Sequence, residues 1–455
     1  MKKQKLDFTI TKLGTPAVPS PISLSKDPSS PRACYTDNDQ YILYDIETCG
    51  GSDGGKIAPS QLLEKAGPRE KIYFDPSKVH AAIVTCGGLC PGLNDVIRAL
   101  VMTLWYGYGV RRISGFRFGY RGFLPEFSLP IMALNPDIVC DIHRQGGSIL
   151  GSSRGSGDRL QEIVDSLERS NINILFTIGG DGTQKGALAI SEEARRRNFK
   201  LAVVGIPKTI DNDLRFVQKS FGFETAVSQA VLAVASAHIE AVGAVNGIAI
   251  VKVMGRDSGF IAAHTALAIN DVNYVLIPEV PFDLDGENGL LAHLQRRILN
   301  RHHSVILVAE GAGQNYLNDS RHCDASGNKK HADIGMYLNH RIYDYFKEKQ
   351  IEITLRYIDP SYMIRSAPAN PNDSIYCARL GANAVHAAMS GRTEMIISLI
   401  HYHFVHVPIR MAVSSRNRID PHKELWRDVI EATGQPLLLK ERRSRPRTAK
   451  ETVCV

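Results

Sequence analysis

Two short runs hold the residue types best suited to chemistry: Gly179-Gly180-Asp181-Gly182-Thr183 and Thr209-Ile210-Asp211-Asn212-Asp213. In the first, glycines at a helix start leave room for phosphate oxygens to reach backbone N–H groups, where the helix dipole also favours anions. Asp181 would add one hard oxygen for a magnesium ion, which keeps most of its waters and takes nucleotide phosphates as further ligands. The pattern is not a P-loop, and a tight strand-to-helix turn with a solvated Asp would look the same. The second run places two carboxylates two residues apart. In an extended segment Asp211 and Asp213 project to one side and Asn212 to the other. Phosphoryl transfer needs little covalent help, but the attacking hydroxyl must be oriented and relieved of its proton. Asp211 is the candidate base. Lys208 and Thr209 lie just before it, placed to meet charge on the group in transit. The plain alternative is a polar turn with a helix N-cap at Asp213.

A substrate's own phosphate needs guanidinium donors, because arginine binds phosphate in bidentate fashion. The candidates are Arg154, Arg256, Arg356 and Arg365, and Tyr362 adds a hydroxyl three residues before the last. Taken singly, each arginine could equally be solvated surface charge.

The elements that must position these groups repeat one theme. His80 to Thr85 is an apolar run that ends in Gly87-Gly88 and Pro91-Gly92, followed by a helical stretch from Asn94 to Trp105. Ile172 to Phe176 leads into the first glycine run and an Ala-rich helix ending at Arg195-Arg196-Arg197, and Leu201 to Ile206 leads into Lys208. Gly247 to Val253 ends at Met254-Gly255-Arg256, and Ser304 to Ala309 at Glu310-Gly311. Alternating strands and helices predict an α/β protein with mostly parallel, doubly wound sheets. Ligands of such sheets sit at the carboxyl ends of strands, so the five strand ends point to one composite cleft.

With 455 residues, 44% of them apolar, the chain can bury a large core and divide into domains. Its net charge of +7 is small and spread out, which disfavours a dedicated nucleic-acid binder. The basic run Lys440 to Arg447 reads as a solvated tail or an oligomer contact. Eight irregularly spaced cysteines, with no signal peptide and no long apolar stretch, predict a reducing interior and no membrane span. Cys86 and Cys90 read as small core or loop residues, since their surroundings offer no further metal ligands. Thr452 to Val455 carries neither a peroxisomal tripeptide nor a prenylation box. Residues 1–75, rich in Pro, Ser and Asp, read as an extended arm that packs on a neighbour or stays free.

In their order and residues these motifs resemble the phosphofructokinase family over residues 79 to 420, nearest to its plant-like and trypanosomatid-like ATP-using branch. The resemblance implies two Rossmann-like domains: residues 76–222 with 366–420 bind the nucleotide, and 223–365 bind a sugar phosphate. An arm at 1–75 and an extension at 421–455 would flank them. It implies nucleotide contacts from Gly88, from Arg154 and Gly155, and from Gly180, Asp181, Gly182 and Thr183, with Asp181 on magnesium. Thr209, Ile210 and Asp211 match the catalytic and substrate segment, where Asp211 is the proton acceptor, helped by Lys208, Thr209 and Arg256. Met254, Gly255, Arg256 and Glu310 match the sugar segment. Tyr362, Met363, Ile364 and Arg365 match the segment that grips the 6-phosphate, with Arg356 a further candidate. The implied reaction is glycolytic phosphorylation of fructose 6-phosphate by ATP with magnesium. The implied enzyme is an allosteric homotetramer in the cytoplasm, or alternatively in a glycosome-like organelle, with neither nucleic acid nor membrane as partner.

Pyrophosphate-using members share a lysine at the position of Lys208 but carry Asp where this chain has Gly182, and that carboxylate crowds the α-phosphate of a nucleotide. Gly182 therefore points to ATP. The chain departs from compact bacterial members, which have His in place of Tyr362, Gly in place of Lys208, and a subunit-crossing Arg whose nearest counterpart is Gly247. Three other readings stay open at this point: a pyrophosphate-dependent enzyme, a non-catalytic sensing subunit, and a lipid or nicotinamide-nucleotide kinase. The last shares the Gly-Gly-Asp-Gly turn but would not be expected to carry Thr-Ile-Asp-Asn-Asp.

Overall fold

The computed structural model describes residues 6–27, 29–46, 59–317 and 331–440. In chain order the principal strands are β1 (His80–Thr85), β2 (Arg112–Phe116), β3 (Met132–Ala133), β4 (Ile174–Gly179), β5 (Ala202–Pro207), β6 (Gly247–Val253), β7 (Tyr274–Leu276), β8 (His303–Ala309), β9 (Thr354–Ile358), β10 (Met395–Ile400) and β11 (His403–Pro408). The helices that matter most are α1 (Leu93–Met102), α2 (Asp181–Arg196), α3 (Phe223–Val242), α4 (Ser361–Ser366) and α5 (Pro371–Met389). The chain forms two compact units. Of the described residues, unit 1 holds those up to 230 and 361–418, and unit 2 holds 231–317, 331–360 and 419–440.

Unit 1 is built on a seven-stranded sheet in the order β11-β10-β5-β4-β1-β2-β3. Its five central strands run parallel, and the edge strands β11 and β3 are antiparallel. Every residue of β4 and β5 is buried, as continuous apolar runs covered on both faces require. Strands β1 and β2 extend the sheet one way and β4 and β5 the other, so the order reverses between β1 and β4, the kind of place where open α/β sheets bind ligands. Unit 2 has a four-stranded, fully parallel sheet, β7-β8-β6-β9, with its own apolar core. Two parallel-centred α/β sheets are the architecture expected from the sequence.

The units differ in detail from the expected divisions. The arm is not free: Thr11–Lys12 pairs with Arg392–Thr393, and Tyr41–Leu43 pairs with Leu62–Glu64, whose neighbour Lys65 bridges to Val405 of β11. Phe8 is buried edge-on against Phe216, 5.2 Å between ring centroids. Residues 361–365, expected with the sugar-phosphate half, fall in unit 1, and the boundary near residue 222 lies instead within α3, after Ala230. Residues 419–440 join unit 2, where the Gln435 side chain accepts the Val275 N–H at 2.6 Å. The remainder of the extension, with the basic run beyond Lys440 and the Thr452 to Val455 tail, lies outside the described residues.

Helix α1 runs to Met102 and continues as one wider helical turn, Thr103–Gly107, which carries the helical stretch past the expected Trp105. The expectation of no long apolar stretch also needs correcting. Helix α3 has 20 residues and by length and composition alone could cross a membrane. Its Val234, Ala237 and Ala241 are buried in the protein, while Leu232, Ile239 and Val242 are exposed.

Candidate active site

In unit 1 the ends of β1, β4 and β5 meet across the point of strand reversal. The loop after β1 is tied to the segment before Arg154: Gly87 N–H donates to the Ser153 carbonyl at 2.9 Å and Ser152 Oγ to the Gly87 carbonyl at 2.7 Å. That pairing brings Arg154 alongside Gly88, its Nη2 3.7 Å from where a Gly88 Cβ would stand. Lys208, at the end of β5, donates its N–H to the Gly179 carbonyl at 3.0 Å and its ammonium to the Gly88 carbonyl. Gly88, Arg154, Gly180 and Lys208 are thus assembled by backbone pairing of segments far apart in sequence. The Lys208 side chain is buried, and burial pulls its pKa below the usual lysine value, partly offset by the neighbouring Asp211 carboxylate. Burial also pushes the thiols of Cys86 and Cys90 up to about 12, so they are inert core groups beside the site.

Asp181 opens α2 as its first residue, where a carboxylate suits the helix dipole, and Arg195 and Arg196 close its last turn. One turn on, Lys185 pairs with Asp181 at 2.8 Å. Thr183 is buried, with Tyr120 Oη donating to its carbonyl at 2.7 Å. Gly182 is exposed, and among the described residues nothing lies within 4 Å of its Cβ position. The backbone therefore does not demand glycine there. Gly155 has φ +85°, in the region that favours glycine, beside exposed Arg154.

The Thr209 to Asp213 run is not extended. Ile210 and Asp211 form a turn and Asn212 sits at φ +54°, so the two aspartates do not share a face as a strand would have it. Asn212 tolerates this left-handed position better than most residues. Its Oδ1 accepts the Ser220 N–H at 2.9 Å, and Ser220 Oγ donates to the Thr209 carbonyl. Asp213 does not cap a helix. Its Oδ1 accepts from Thr209 Oγ1 at 2.6 Å and its Oδ2 pairs with Arg416 at 3.3 Å. Both Asp213 oxygens are engaged in building the turn, while Asp211, half-buried, sits beside Lys208. Ile210 packs partly against the core of unit 1.

On α4 the Arg365 guanidinium lies over the Tyr362 ring, 5.2 Å from its centroid, and Tyr362 and Met363 are exposed. Ile364 is fully buried, so the ligand contact that the resemblance implies for it is not supported by its position.

In unit 2 the ends of β6 and β8 are joined by Glu310 N–H to the Val253 carbonyl at 2.9 Å and Gly311 N–H to the Gly255 carbonyl at 3.0 Å. A Cβ on Gly311 would lie 2.0 Å from the Arg256 carbonyl, so this close approach requires glycine. Met254, Gly255, Arg256 and Glu310 thus form one cluster, with the Met254 side chain buried. Arg356 is not part of it. It pairs with Ala249, four residues before Val253, which places it about 13 Å down the sheet, and its guanidinium meets Glu240 at 3.6 Å.

Sequence reasoning missed several supports. Gln184, fully buried, donates to the carbonyls of Gly179 at 2.9 Å and Ile206 at 3.3 Å and so locks β4 to β5. Lys252 pairs with Asp333 at 3.0 Å and Asp359 at 2.9 Å just below the Arg256 loop. A polar residue on the buried stripe of α2, and a lysine inside a strand of aliphatics, were the available signals.

For magnesium, the fit rests on Asp181 at the head of α2. Among the described residues no group of three or more His, Cys, Asp or Glu side chains could hold a metal ion. A single carboxylate suits an ion whose remaining ligands are nucleotide phosphates and water.

Residues 80–388 match the family model described as Phosphofructokinase. The chain is 58% identical, over 97% of its length and 99% of the relative's, to an ATP-dependent 6-phosphofructokinase of Borreliella burgdorferi. It is 49% identical, over 88% of its length and 82% of the relative's, to an ATP-dependent 6-phosphofructokinase of Trypanosoma cruzi. In fold it is similar to a pyrophosphate-dependent phosphofructokinase from Marinobacter aquaeolei, with TM-score 0.64 at 19% identity over 81% of this chain and 98% of that one.

Proposed function

Because the chain belongs to the phosphofructokinase family, we propose that it transfers the γ-phosphoryl group of ATP to the 1-hydroxyl of fructose 6-phosphate. The observation that carries the choice of donor is the open space at Gly182, at the head of α2, where no protein atom among the described residues stands within 4 Å of the Cβ position. The space is suited to a nucleotide phosphate bound on the α2 amides, and a carboxylate there would repel it. The pyrophosphate-dependent alternative is disfavoured on the same ground, and the relatives 58% and 49% identical in sequence are ATP-dependent enzymes.

Asp211 takes the proton of the sugar hydroxyl as its oxygen bonds to the γ-phosphorus and the bond to the β-phosphate oxygen breaks. Lys208, Thr209 and Arg256 meet the charge that develops on the transferring group. Arg365, Tyr362 and Glu310 orient the sugar phosphate, with Arg365 on the 6-phosphate. Gly88, Arg154, Gly155, Gly180 and Thr183 line the nucleotide. Magnesium, when bound, neutralises charge on the phosphates, and Asp181 is the residue that would hold it.

The assembly we propose is a homotetramer, with the exposed Leu232, Ile239 and Val242 stripe of α3 among its contacts. For location we propose the cytoplasm, in keeping with the free thiols of Cys34, Cys86, Cys90, Cys140 and Cys377.

Steady-state kinetics of Asp211→Asn test the central role. The expected result is a fall in kcat of about two to four orders of magnitude with unchanged thermal unfolding. Near-normal kcat would remove Asp211 from the mechanism.

A further inference from the structure

We infer that Gly146 and Asn94 are positioning residues for the reaction: together they make the loop from Gln145 to Ile149 a strut that sets α4, with Arg365, and the Arg154 segment in fixed places. Neither residue touches a reacting group. Each acts through an arginine, so this role rests on those proposed above for Arg365 and Arg154.

The strut is anchored on α1 and β1. Asn94, buried in the first turn of α1, donates from Nδ2 to the Gln145 carbonyl at 3.0 Å and accepts the Ile149 N–H on Oδ1 at 2.9 Å. One side-chain amide thus closes both ends of the loop. Thr85, the buried last residue of β1, lies 3.0 Å from Ser148 Oγ and donates to the Gly151 carbonyl at 2.5 Å. Breaking bonds to two buried side chains is costly, so the loop has one setting.

The other side of the loop meets α4. A Cβ on Gly146 would stand 1.8 Å from the Ser366 carbonyl oxygen, 2.6 Å from its carbon and 3.0 Å from the Ala367 carbonyl carbon. Gly146 is not left-handed, so space and not backbone freedom asks for glycine here. It lies directly on the backbone that closes α4, one residue after Arg365. Ser366 Oγ donates to the Tyr362 carbonyl at 2.8 Å, so the whole last turn moves with it. The chain beyond is packed as well: a Cβ on Gly92, the residue before α1, would lie 3.8 Å from Ala369 Cβ.

In the forward direction the loop runs straight into the nucleotide segment. Leu150 N–H donates to Ser148 Oγ at 3.2 Å and the Leu150 carbonyl accepts the Phe118 N–H at 2.9 Å, and Arg154 stands four residues further on. One short loop therefore carries the register of β1 and α1 to both arginines. Phosphoryl transfer depends on such placement, because a misplacement of about 1 Å can cost about 100-fold in rate.

The test is steady-state kinetics of the full-length protein with each substrate varied in turn, and thermal unfolding to confirm folding. Gly146→Ala pushes the end of α4 away by about 1 Å, so the KM for fructose 6-phosphate should rise about tenfold or more. The KM for ATP should stay within about threefold. Asn94→Ala adds no clash and releases both ends of the loop, so both KM values should rise about threefold or more; it carries the test if Gly146→Ala does not fold. Gly147→Asn has open space at its Cβ and a φ of +77° that asparagine tolerates, so neither KM should change more than about twofold. A loop that only stabilises the fold would lower kcat and the yield of folded protein and leave both KM values alone. That result overturns the strut, as does a loss in Gly147→Asn equal to that in Gly146→Ala. Arg365→Met and Arg154→Met test the underlying roles: an unchanged KM for fructose 6-phosphate in the first, or for ATP in the second, removes that role. Raised values there, with wild-type values in Gly146→Ala and Asn94→Ala, overturn the strut alone. In Gly146→Ala/Arg365→Met the KM for fructose 6-phosphate should match that of Arg365→Met within about threefold, and a fully additive rise overturns action through Arg365.

Discussion

Replacing Gly182 by aspartate separates what the fold needs from what the nucleotide needs. No protein atom among the described residues lies within 4 Å of the Gly182 Cβ position, and its φ is not left-handed, so the new side chain meets neither clash nor backbone strain. It enters the first turn of α2, where a carboxylate gains about 0.3–1 kcal/mol from the dipole, offset by repulsion from adjacent Asp181. Thermal unfolding should hardly move. A phosphate bound at the same helix end would lie about 5 Å from the added charge, and at an effective dielectric constant of about 20 each unit of phosphate charge is then repelled by about 3 kcal/mol. That corresponds to a loss of about 100- to 300-fold in kcat/KM for ATP. The KM for fructose 6-phosphate should stay within about threefold, because the sugar contacts come from other strand ends. Initial rates against each substrate, with differential scanning fluorimetry, measure all three quantities. An unchanged KM for ATP in a folded variant would refute the placement of the nucleotide phosphates beside Gly182.

Two further outcomes follow from the supports around the site. Gln184→Leu removes two bonds to strand-end carbonyls in the core, of which that of Gly179 keeps the Lys208 N–H, so it should cost about 1–3 kcal/mol in denaturant unfolding and lower kcat by displacing Lys208; wild-type values of both would show that the amide is dispensable. His406 is fully buried, and desolvation lowers its pKa to about 4, against the opposing pull of Glu64 and with help from Arg392 and Arg69. Its folded pKa lies below the unfolded value of 6.5, so the unfolded chain binds more protons in that window, and stability should fall as pH drops from about 6.5 toward 4. His406→Gln should flatten the plot of Tm against pH over that range, and an equally steep plot would contradict the assignment.

The strand, glycine turn and helix units could be read from the sequence because each is local: an apolar run long enough for a buried strand, then residues that only a turn accommodates. Strands β1, β5, β6 and β8 fall within one residue of the expected runs, and β4 starts two and ends three residues later than expected. The arm could not be read this way, since its partners are remote: Thr11 pairs with Thr393, and Glu64 joins buried Arg392 and His406. A Pro-rich and Ser-rich stretch with few apolar residues gives no sign of such partners. Arg356 was misplaced for a related reason. Composition puts it near other substrate arginines, but its position along the sheet is set by pairing with Ala249.

The Thr209 to Asp213 run shows where local reading ends and tertiary structure decides the chemistry. Spacing alone made Asp211 and Asp213 equivalent, two carboxylates on one face of an extended segment. The left-handed Asn212 breaks that equivalence, and it is stabilised from outside the run by Ser220 and Gln218. Arg416, some two hundred residues later, then holds Asp213 by an ion pair, while Thr209 fills its other oxygen. With both oxygens committed in this way, Asp213 holds the turn together and offers no free oxygen to a substrate hydroxyl. Asp211 keeps company with a buried lysine whose charged form it favours. The division of labour between two identical side chains is therefore made by residues that no motif contains.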